Sequence, residues 1–449
     1  MDLQQSSEIK TYRYPNGEIQ RVQSVKLSGW DSLDFANPEP DIRTFRQICD
    51  LYENFIVFRY PFLFGTLIFF TLPEDMYMPF PFDTGKGITA DRETAAAIGL
   101  SRYIRGSRFE PDERAKAFIR ELEDRGLFRI IKGTRPFHAK IMCISSAIGL
   151  ASCRKNEYPF VSSAGFFTMD MFDLGSPYDI IGRPIGLCVK NGNILNPPLF
   201  ERDCLTVTDD GRVSVSKISL KDLSLEIGGK EYAHGKNAFF YERPGRRKAP
   251  AKGYSAAVIG DRVVAVLKDS KMIIPSAGFI VQTEDMIKPG ETVRYKGLDN
   301  VLFGIQAGNC CVREGKACKE FTSYFSNIRN PFELPIPPSL YPLGYSKDRA
   351  PRMALGSDKD GLPVMIWAEG PGKFDDLSRS TEGLFSCGAS LLEMADICAD
   401  MGMINGVNLD GGGSAQILLN GKRSLLISDR HREDNSEYER ALPLCLVAK

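Results

Sequence analysis

Short apolar runs separated by turn residues dominate the chain from about residue 137 onward. In three places a two-residue turn pair lies between two such runs, as in "PIGLCVKNGNIL". Asn-Gly and Asp-Gly pairs favour the positive φ angles that tight hairpin turns require. The pattern therefore predicts three β-hairpins, with turns at Asn191-Gly192, Asp210-Gly211 and Gly260-Asp261.

A helical period appears once in the last hundred residues, in "SLLEMADICADMG". Ser390 and Glu393 have the spacing of a capping box, an apolar stripe follows, and Gly402 ends the pattern. The segment "INGVNLD" then predicts a strand. The segment "AQILLNGKRSLLI" predicts a hairpin that turns at Asn420-Gly421.

The N-terminal part has a more mixed pattern. Residues 111–126 predict a helix that begins at a proline and ends at a glycine, and a short strand follows it. The apolar stretch 55–72 is interrupted by Arg59 and Pro61, so it predicts buried strands rather than a membrane segment. Residues 1–130 show no catalytic pattern.

Length and pattern together predict an α+β fold. A chain of 449 residues exceeds what one hydrophobic core usually supports, so we expect two domains or one domain with large insertions. We predict an N-terminal α/β appendage over residues 1–130 and a catalytic domain over residues 131–449. The catalytic domain is expected to have mixed, hairpin-rich sheets with packed helices.

Charge and cysteine content limit the classes of binding partner and the cellular compartment that we expect. The 57 basic and 57 acidic residues cancel, which argues against nucleic acid and against an anionic membrane as partners. The 11 cysteines are odd in number and lack framework spacing, and the start "MDLQQSSEIK" lacks the features of a signal peptide. We therefore expect a cytoplasmic protein, with a virion-associated or secreted location as alternatives.

The segment 352–370 predicts a hairpin around a Lys-Asp-Gly turn. If residues 358–361 form the turn, Arg352 lies opposite Trp367, and Glu369 shares a sheet face with Arg352. A cation and a carboxylate would then meet at the open end of the hairpin. This pair is a candidate catalytic pair, and a surface ion pair is the alternative.

Three consecutive glycines interrupt "NLDGGGSAQILLNG" between an acid and a serine. Glycine lacks a Cβ, so such a loop can adopt positive φ and bring backbone N–H groups close to an anion. A bulge that turns the strand is the alternative. Strand alternation places Asn408 and Asp410 on one face, and Asp410 is a candidate general acid or base.

This glycine segment resembles the signature of the phosphodiester glycosidase family, which includes N-acetylglucosamine-1-phosphodiester α-N-acetylglucosaminidases of the uncovering-enzyme type and exopolysaccharide proteins. Further blocks occur in the same order as in the family. They are "SAGFF" at 163–167, "AGNCCVREGK" at 307–316, "PRMALGSDKDG" at 351–361 and "RALPLCLV" at 440–447. The resemblance covers residues 137–449.

The resemblance implies a hydrolase that cleaves the glycosidic C–O bond of a sugar-1-phosphodiester or related glycan. Its implied catalytic residues are Asp410, Glu369 and Arg352. Its implied substrate-binding residues are Asn408, Gly411, Gly412, Gly413, Ser414, Arg440, Gly308 and Ser163. Two alternatives remain, a phosphodiesterase that cuts the P–O bond and a non-catalytic carbohydrate-binding or virion-associated protein.

No cofactor is expected, although a divalent cation stays open as an alternative. The three histidines are scattered, and the cysteines of "CCVREGKAC" lack a partner pair with metal-ligand spacing. His431 lies in the loop "SDRHRED", where an exposed loop histidine is the simpler interpretation. The sequence gives no indication of the oligomeric state.

Overall fold

The computed structural model describes residues 7–36, 158–167, 183–243, 246, 248–321, 348–372, 386–430, 436–437, 440, 442 and 444–448, and the backbone of 56–60 and 67–71. Strands account for 49% of these residues and helices for 6%. Every ladder between the strands described is antiparallel. The predicted α+β class with mixed sheets and packed helices is therefore wrong, and the protein is mostly β-sheet.

The strands are short and follow one another closely. In chain order they begin with β1 (Ser7–Arg13), β2 (Ile19–Lys26), β3 (Leu33–Ala36), β4 (Ile56–Tyr60), β5 (Leu67–Thr71), β6 (Phe160–Ser163), β7 (Cys188–Lys190), β8 (Asn193–Asn196), β9 (Arg202–Thr208), β10 (Val213–Ile218), β11 (Ser224–Ile227), β12 (Lys230–Ala233), β13 (Phe239–Tyr241) and β14 (Lys248–Ala249). They continue with β15 (Tyr254–Ile259), β16 (Arg262–Lys268), β17 (Met272–Ile273), β18 (Gly278–Thr283), β19 (Val293–Lys296), β20 (Val301–Gln306), β21 (Cys310–Arg313), β22 (Lys316–Ala317), β23 (Arg352–Ser357), β24 (Pro363–Ala368), β25 (Asn405–Asn408), β26 (Ile417–Leu419) and β27 (Cys445–Ala448).

The largest sheet has seven strands in the order β1-β2-β24-β23-β25-β21-β22. All residues of β23 and β24 are buried, because both faces of the sheet are covered. This explains why the two strands have continuous apolar sequences instead of an alternating pattern. One face, which carries Met353 and Trp367, belongs to the main hydrophobic core.

One α-helix, α1 (Leu391–Asp400), covers the other face of this sheet in the described part of the chain. Ser390 and Glu393 form the predicted capping box, since each side chain accepts a hydrogen bond from the backbone N–H of the other residue. Met394 and Cys398 of the helix pack against apolar residues of the sheet. The predicted helix and its cap are confirmed.

A second sheet faces the main core in the order β26-β6-β27-β3. Phe160, Ile417 and Leu446 extend from it into the same core as Trp367. The predicted turn at Asn420-Gly421 is present with positive φ at both residues. Its second arm is a single bridge from Lys422 to Leu419, so β26 pairs with β6 rather than forming the predicted hairpin.

The remaining sheets contain the three predicted hairpins. The pairs β7–β8, β9–β10 and β15–β16 are antiparallel neighbours joined at the predicted turns. Their sheets have the orders β10-β9-β20-β7-β8 and β13-β18-β15-β16. Smaller sheets have the orders β12-β11-β19, β14-β17 and β4-β5. The hairpins predicted at Asn191-Gly192, Asp210-Gly211 and Gly260-Asp261 are therefore confirmed.

The N-terminal strands lie within the sheets of the C-terminal half. Strand β2 pairs with β24, and β3 pairs with β27. The predicted domain boundary at residue 130 and the predicted helix at 111–126 lie outside the described residues, so both stay predictions. No helix among the described residues is long and apolar enough to cross a membrane. The expected location and partners likewise stay predictions.

Candidate active site

The candidate site lies where the chain passes from the seven-stranded sheet to the second sheet. After β25, the N–H of Leu409 donates to the Met353 carbonyl at 2.8 Å. One residue later, the N–H of Asp410 donates to the Ala164 carbonyl, beyond the end of β6, at 3.0 Å. Because these two consecutive bonds go to different sheets, the backbone of Asp410 is fixed at the junction between them.

Gly411 caps a turn of 3-10 helix, Gly412–Ser414, that contains the other two glycines. A side chain would be disfavoured at each of the three positions for a different reason. A Cβ on Gly411 would lie 2.6 Å from the Pro351 carbonyl oxygen. Gly412 has a φ of +60°, and a Cβ on Gly413 would overlap the Asp429 carboxylate. Glycine is therefore needed for a close turn against neighbouring groups.

The amide groups of this turn are partly used within the protein. The Gly412 N–H donates to the Pro351 carbonyl at 2.9 Å, and the Gly411 N–H lowers the pKa of the Asp410 carboxyl group. The sequence predicted that these N–H groups would face a phosphate. For Gly412 the structure instead shows a bond that holds the turn in place.

Asp410 is partly accessible to solvent, but protein surrounds most of its carboxyl group. Burial raises the pKa of this group from 3.8 to about 6. The Ser414 hydroxyl, the Arg440 charge and the Gly411 N–H each oppose the shift by stabilising the ionised form. A carboxyl group with this pKa exchanges protons near neutrality, as a general acid or base must.

Arg440 approaches this acid through Ser414. Its Nη1 donates to the Ser414 Oγ at 3.3 Å, and the Ser414 hydroxyl in turn lowers the pKa of Asp410. The rest of its guanidinium is held by Asp429, with Nε to Oδ2 at 2.8 Å and Nη2 to Oδ1 at 3.2 Å. Asp429, Arg440 and Ser414 thus form a hydrogen-bonded series, and its last member, Ser414, acts on the pKa of Asp410.

Sequence reasoning missed Asp429. It lies in the loop that was considered only for His431, a residue outside the described part of the chain. Its contact with Arg440 is tertiary, and no local pattern signals it. The glycine at position 413 leaves room for the Asp429 and Arg440 side chains, but this is apparent only from the structure.

The predicted pairing of Arg352 with Glu369 is wrong. Arg352 lies opposite Ala368, one residue away from the expected Trp367, so Glu369 falls on the other sheet face. The turn contains five residues instead of four, because the Asp358 Oδ1 accepts hydrogen bonds from the N–H groups of Asp360 and Leu362 at 2.9 and 3.1 Å.

Each member of the predicted pair has other partners. The Arg352 guanidinium is buried and donates to the carbonyls of Ala389 and Asp348 at 2.9 and 2.8 Å. Its backbone passes beside Gly411, but these two bonds direct its side chain to other parts of the chain. A phosphate-binding role for Arg352 is therefore not supported by its contacts.

Glu369 is almost fully buried, and protein donors bind both of its carboxylate oxygens. Arg21 of β2 donates to them from Nε at 2.7 Å and from Nη2 at 2.6 Å. The Leu426 N–H donates at 2.8 Å, and the Ser386 hydroxyl is a further donor. A carboxylate with this many donors is suited to hold chain segments together rather than to activate water.

Three other predicted binding residues lie at the edges of this site. The Gly308 N–H donates to the Asn408 carbonyl at 2.8 Å, which places the loop before β21 beside the end of β25. Ser163 is buried opposite Cys445 in the second sheet. Its hydroxyl has no hydrogen-bond partner in the part of the chain that the structure describes. Only the backbone of Ala164 links this strand end directly to Asp410.

Among the described residues, no group of three or more histidine, cysteine or acidic side chains has the arrangement of a metal site. Cys310 and Cys318 lie 3.5 Å apart through their sulfur atoms, but as a pair they do not complete one.

Comparison with known proteins gives a family match for the part of the chain that carries these residues. Residues 243–449 match the family model for phosphodiester glycosidase. The chain is 27% identical over 210 residues to the N-acetylglucosamine-1-phosphodiester alpha-N-acetylglucosaminidase of Mus musculus, covering 42% of this chain and 35% of the mouse protein. The Bos taurus protein of the same name is 28% identical over 195 residues, 42% of this chain and 29% of the relative.

The Homo sapiens protein of that name is 38% identical over 84 residues, 19% of this chain and 14% of the human protein. The chain thus spans about a third or less of the length of the curated relatives it matches. Asp410, Ser414, Asp429 and Arg440 all lie within residues 243–449, the part of the chain that the phosphodiester glycosidase family model matches.

Replacing Glu369 tests whether it holds the structure or does chemistry. We expect Glu369→Gln to lower the free energy of unfolding by about 2 to 3 kcal/mol, because a buried carboxylate with several donors is lost. Activity per folded molecule should fall far less than in Asp410→Asn. Urea unfolding measures the free energy of unfolding. The control is Glu231→Gln, at an exposed strand position, which should change this free energy by less than about 0.5 kcal/mol. A loss of activity as deep as that of Asp410→Asn would make Glu369 catalytic.

The raised pKa of Asp410 predicts a pH-dependent cost to stability. Below pH 3.8 the group is protonated in both folded and unfolded states, so it costs nothing. As the pH rises to about 6, the unfolded state releases its proton more readily and stability is lost. Asp410→Asn should therefore gain up to about 3 kcal/mol at pH 8 and gain nothing near pH 3.5.

Urea unfolding of both proteins at these two pH values measures this gain. Asp360→Asn, at an exposed turn position, is the matched control and should behave as wild type at both. An effect of Asp410→Asn that is the same at both pH values would mean that burial does not perturb the group.

Proposed function

We propose that the protein hydrolyses the glycosidic C–O bond of a sugar-1-phosphodiester and releases free sugar and a phosphomonoester. The family match of residues 243–449 supports this reaction class. The printed name of the curated relatives supports α-linked N-acetylglucosamine as the sugar. The observation that carries the proposal is the partly accessible Asp410 at the junction of the two sheets, with the hydrogen-bonded pair Ser414 and Arg440 in the same turn region. Burial raises the pKa of Asp410 to about 6.

The chemistry needs little from a general acid. A phosphomonoester is already a good leaving group, so the bond to the anomeric carbon can break without full protonation of the departing oxygen. The transition state resembles an oxocarbenium ion, and a nearby carboxylate stabilises its positive charge or activates the attacking water. Asp410 is positioned for this role in its ionised form, which predominates above pH 6.

Arg440 and Ser414 are the proposed phosphate ligands. A guanidinium suits a phosphate oxygen because its N–H groups form charge-assisted hydrogen bonds. The Nη1 side of Arg440 faces Ser414, and Ser414 faces Asp410, so a phosphate there would lie next to the acid. Of the two arginines expected to hold the phosphate, we retain Arg440 and set aside Arg352, whose guanidinium donates to backbone carbonyls.

Product analysis tests the reaction. We expect methyl N-acetylglucosamine α-1-phosphodiester to give free N-acetylglucosamine and methyl phosphate, and UDP-N-acetylglucosamine to give the free sugar and UDP. In water enriched with heavy oxygen, the methyl phosphate should carry no label, because water attacks carbon. Asp410→Asn should reduce the rate at least about 100-fold, and Asp360→Asn should not change it. Mass spectrometry identifies each product and its label.

Two outcomes would replace the proposal. Sugar phosphate carrying the heavy oxygen would show attack at phosphorus, and the protein would then be a phosphodiesterase. Binding of the substrates without any turnover, unchanged in Asp410→Asn, would favour a non-catalytic carbohydrate-binding protein that keeps the fold.

The pH dependence tests which form of Asp410 acts. The ratio kcat/KM should rise with pH through a limb near pH 6, because the ionised carboxylate is required. In Ser414→Ala the limb should move to higher pH, since the hydroxyl that lowers the pKa of Asp410 is gone. Initial rates across the pH range measure both. A limb that falls with pH would instead assign Asp410 as the general acid.

A further inference from the structure

The ion pair between Asp429 and Arg440 is built into the glycine turn. The two side chains share two hydrogen bonds, at 2.8 and 3.2 Å, and both are largely buried. A Cβ on Gly413 would overlap both the Asp429 carboxylate and the Nη2 of Arg440. The third glycine of the turn therefore leaves room for this pair.

The loop that carries Asp429 is anchored independently of Arg440. The Leu426 N–H donates to Glu369 at 2.8 Å, and the Ile427 N–H donates to Glu437 at 3.0 Å. Glu437 also pairs with Arg423 at 3.1 Å. These bonds hold the backbone just before Asp429 in place. The Asp429 carboxylate is therefore positioned to restrain the longer side chain of Arg440.

Arg440 connects Asp429 to Ser414, which lies in the same turn region as Asp410. Two of its guanidinium nitrogens, Nε and Nη2, bind Asp429, and Nη1 reaches the Ser414 hydroxyl at 3.3 Å. The Ser414 hydroxyl in turn lowers the pKa of Asp410. Because a guanidinium is planar and rigid, fixing one edge by two bonds also fixes the direction of the remaining nitrogen.

We propose that Asp429 is a positioning residue, whose carboxylate orients the Arg440 guanidinium toward Ser414 and toward a substrate phosphate. Asp429 itself would not touch the reacting atoms. Its catalytic consequence rests on the proposed function, but the orientation of Arg440 does not. The competing interpretation is an ion pair that stabilises the fold and leaves Arg440 in place when Asp429 is removed.

Titration of Asp410 separates these interpretations without any substrate. The Arg440 charge lowers the pKa of Asp410. If Arg440 leaves its place in Asp429→Asn, the pKa of Asp410 should rise. If Arg440 stays, the loss of a nearby negative charge should lower the pKa of Asp410 instead. The two hypotheses therefore predict shifts of opposite sign.

The experiment follows the carboxyl signal of Asp410 by NMR in protein with isotopically labelled aspartate, assigned by its absence in Asp410→Asn. We expect the pKa of Asp410 to rise in Asp429→Asn and in Arg440→Gln, with no further rise in the double variant. Asp396→Asn, which removes an exposed ion pair with Lys319, is the matched control and should leave it unchanged. A fall in the pKa of Asp410 in Asp429→Asn would overturn the proposal.

A second variant keeps the test valid if Asp429→Asn folds poorly. Gly413→Ala keeps both charges but places a methyl group where the pair lies, so it should raise the pKa of Asp410 in the same direction. An unchanged pKa of Asp410 in a folded Gly413→Ala protein would also contradict the proposal.

With an active protein, Asp429→Asn should lower kcat/KM about 10- to 100-fold, mainly through KM if Arg440 binds the phosphate in the ground state. The double variant with Arg440→Gln should be no worse than Arg440→Gln alone. Additive losses would show that Asp429 acts independently of Arg440 and would overturn the proposal. Absence of turnover in wild type, together with the expected NMR shifts, would reject the proposed function and leave the positioning role standing.

Discussion

The site depends on one constraint, which is that the backbone at Asp410 is hydrogen-bonded to two different sheets. Leu409 donates to the seven-stranded sheet, and Asp410 donates to the strand end of the second sheet. The acid is thereby held at a junction where protein surrounds most of its carboxyl group. Its raised pKa follows from this position, because burial disfavours the charged form more strongly than its three neighbours favour it.

The charges around Asp410 are balanced in a way that suits an anionic substrate. Arg440 lowers the pKa of Asp410, but Asp429 holds that arginine and offsets its positive charge. With the arginine unbalanced, the acid would be ionised more strongly and would be a weaker base. With the arginine absent, a phosphate next to the carboxylate would meet uncompensated repulsion. With Asp429 beside it, Arg440 can offset the charge of a bound phosphate while Asp410 keeps a raised pKa.

Local signals predicted local structure well. The capping box of Ser390 and Glu393, the hairpin turns and the strand that ends before Asp410 all follow from patterns a few residues long. The register of the 352–370 hairpin failed because Asp358 caps a five-residue turn, and a shift of one residue moves every side chain to the other face. The fold class failed because a sequence pattern does not show which strands pair.

The residues around the site that could not be predicted from the sequence all make contacts with residues distant from their own chain segment. Arg21 reaches Glu369 across 348 residues, and Asp429 reaches Arg440 between two loops. Neither contact leaves a periodic or motif-like signal, because each depends on how distant strands assemble. The candidate acid was found because it lies in a glycine-rich motif, whereas the residues that orient its neighbours lie in ordinary sequence.

The N-terminal strands change how the family match should be interpreted. The match begins at residue 243, yet β2 forms one neighbour of β24, and β3 forms one neighbour of β27. Without them, two strands of the matched region would expose their backbone N–H and C=O groups along a new edge. Arg21 would also be missing from Glu369, which binds the loop that leads to Asp429. The limits of the sequence match are therefore not the limits of the structural unit, and the site is supported by residues that lie more than two hundred positions before the match begins.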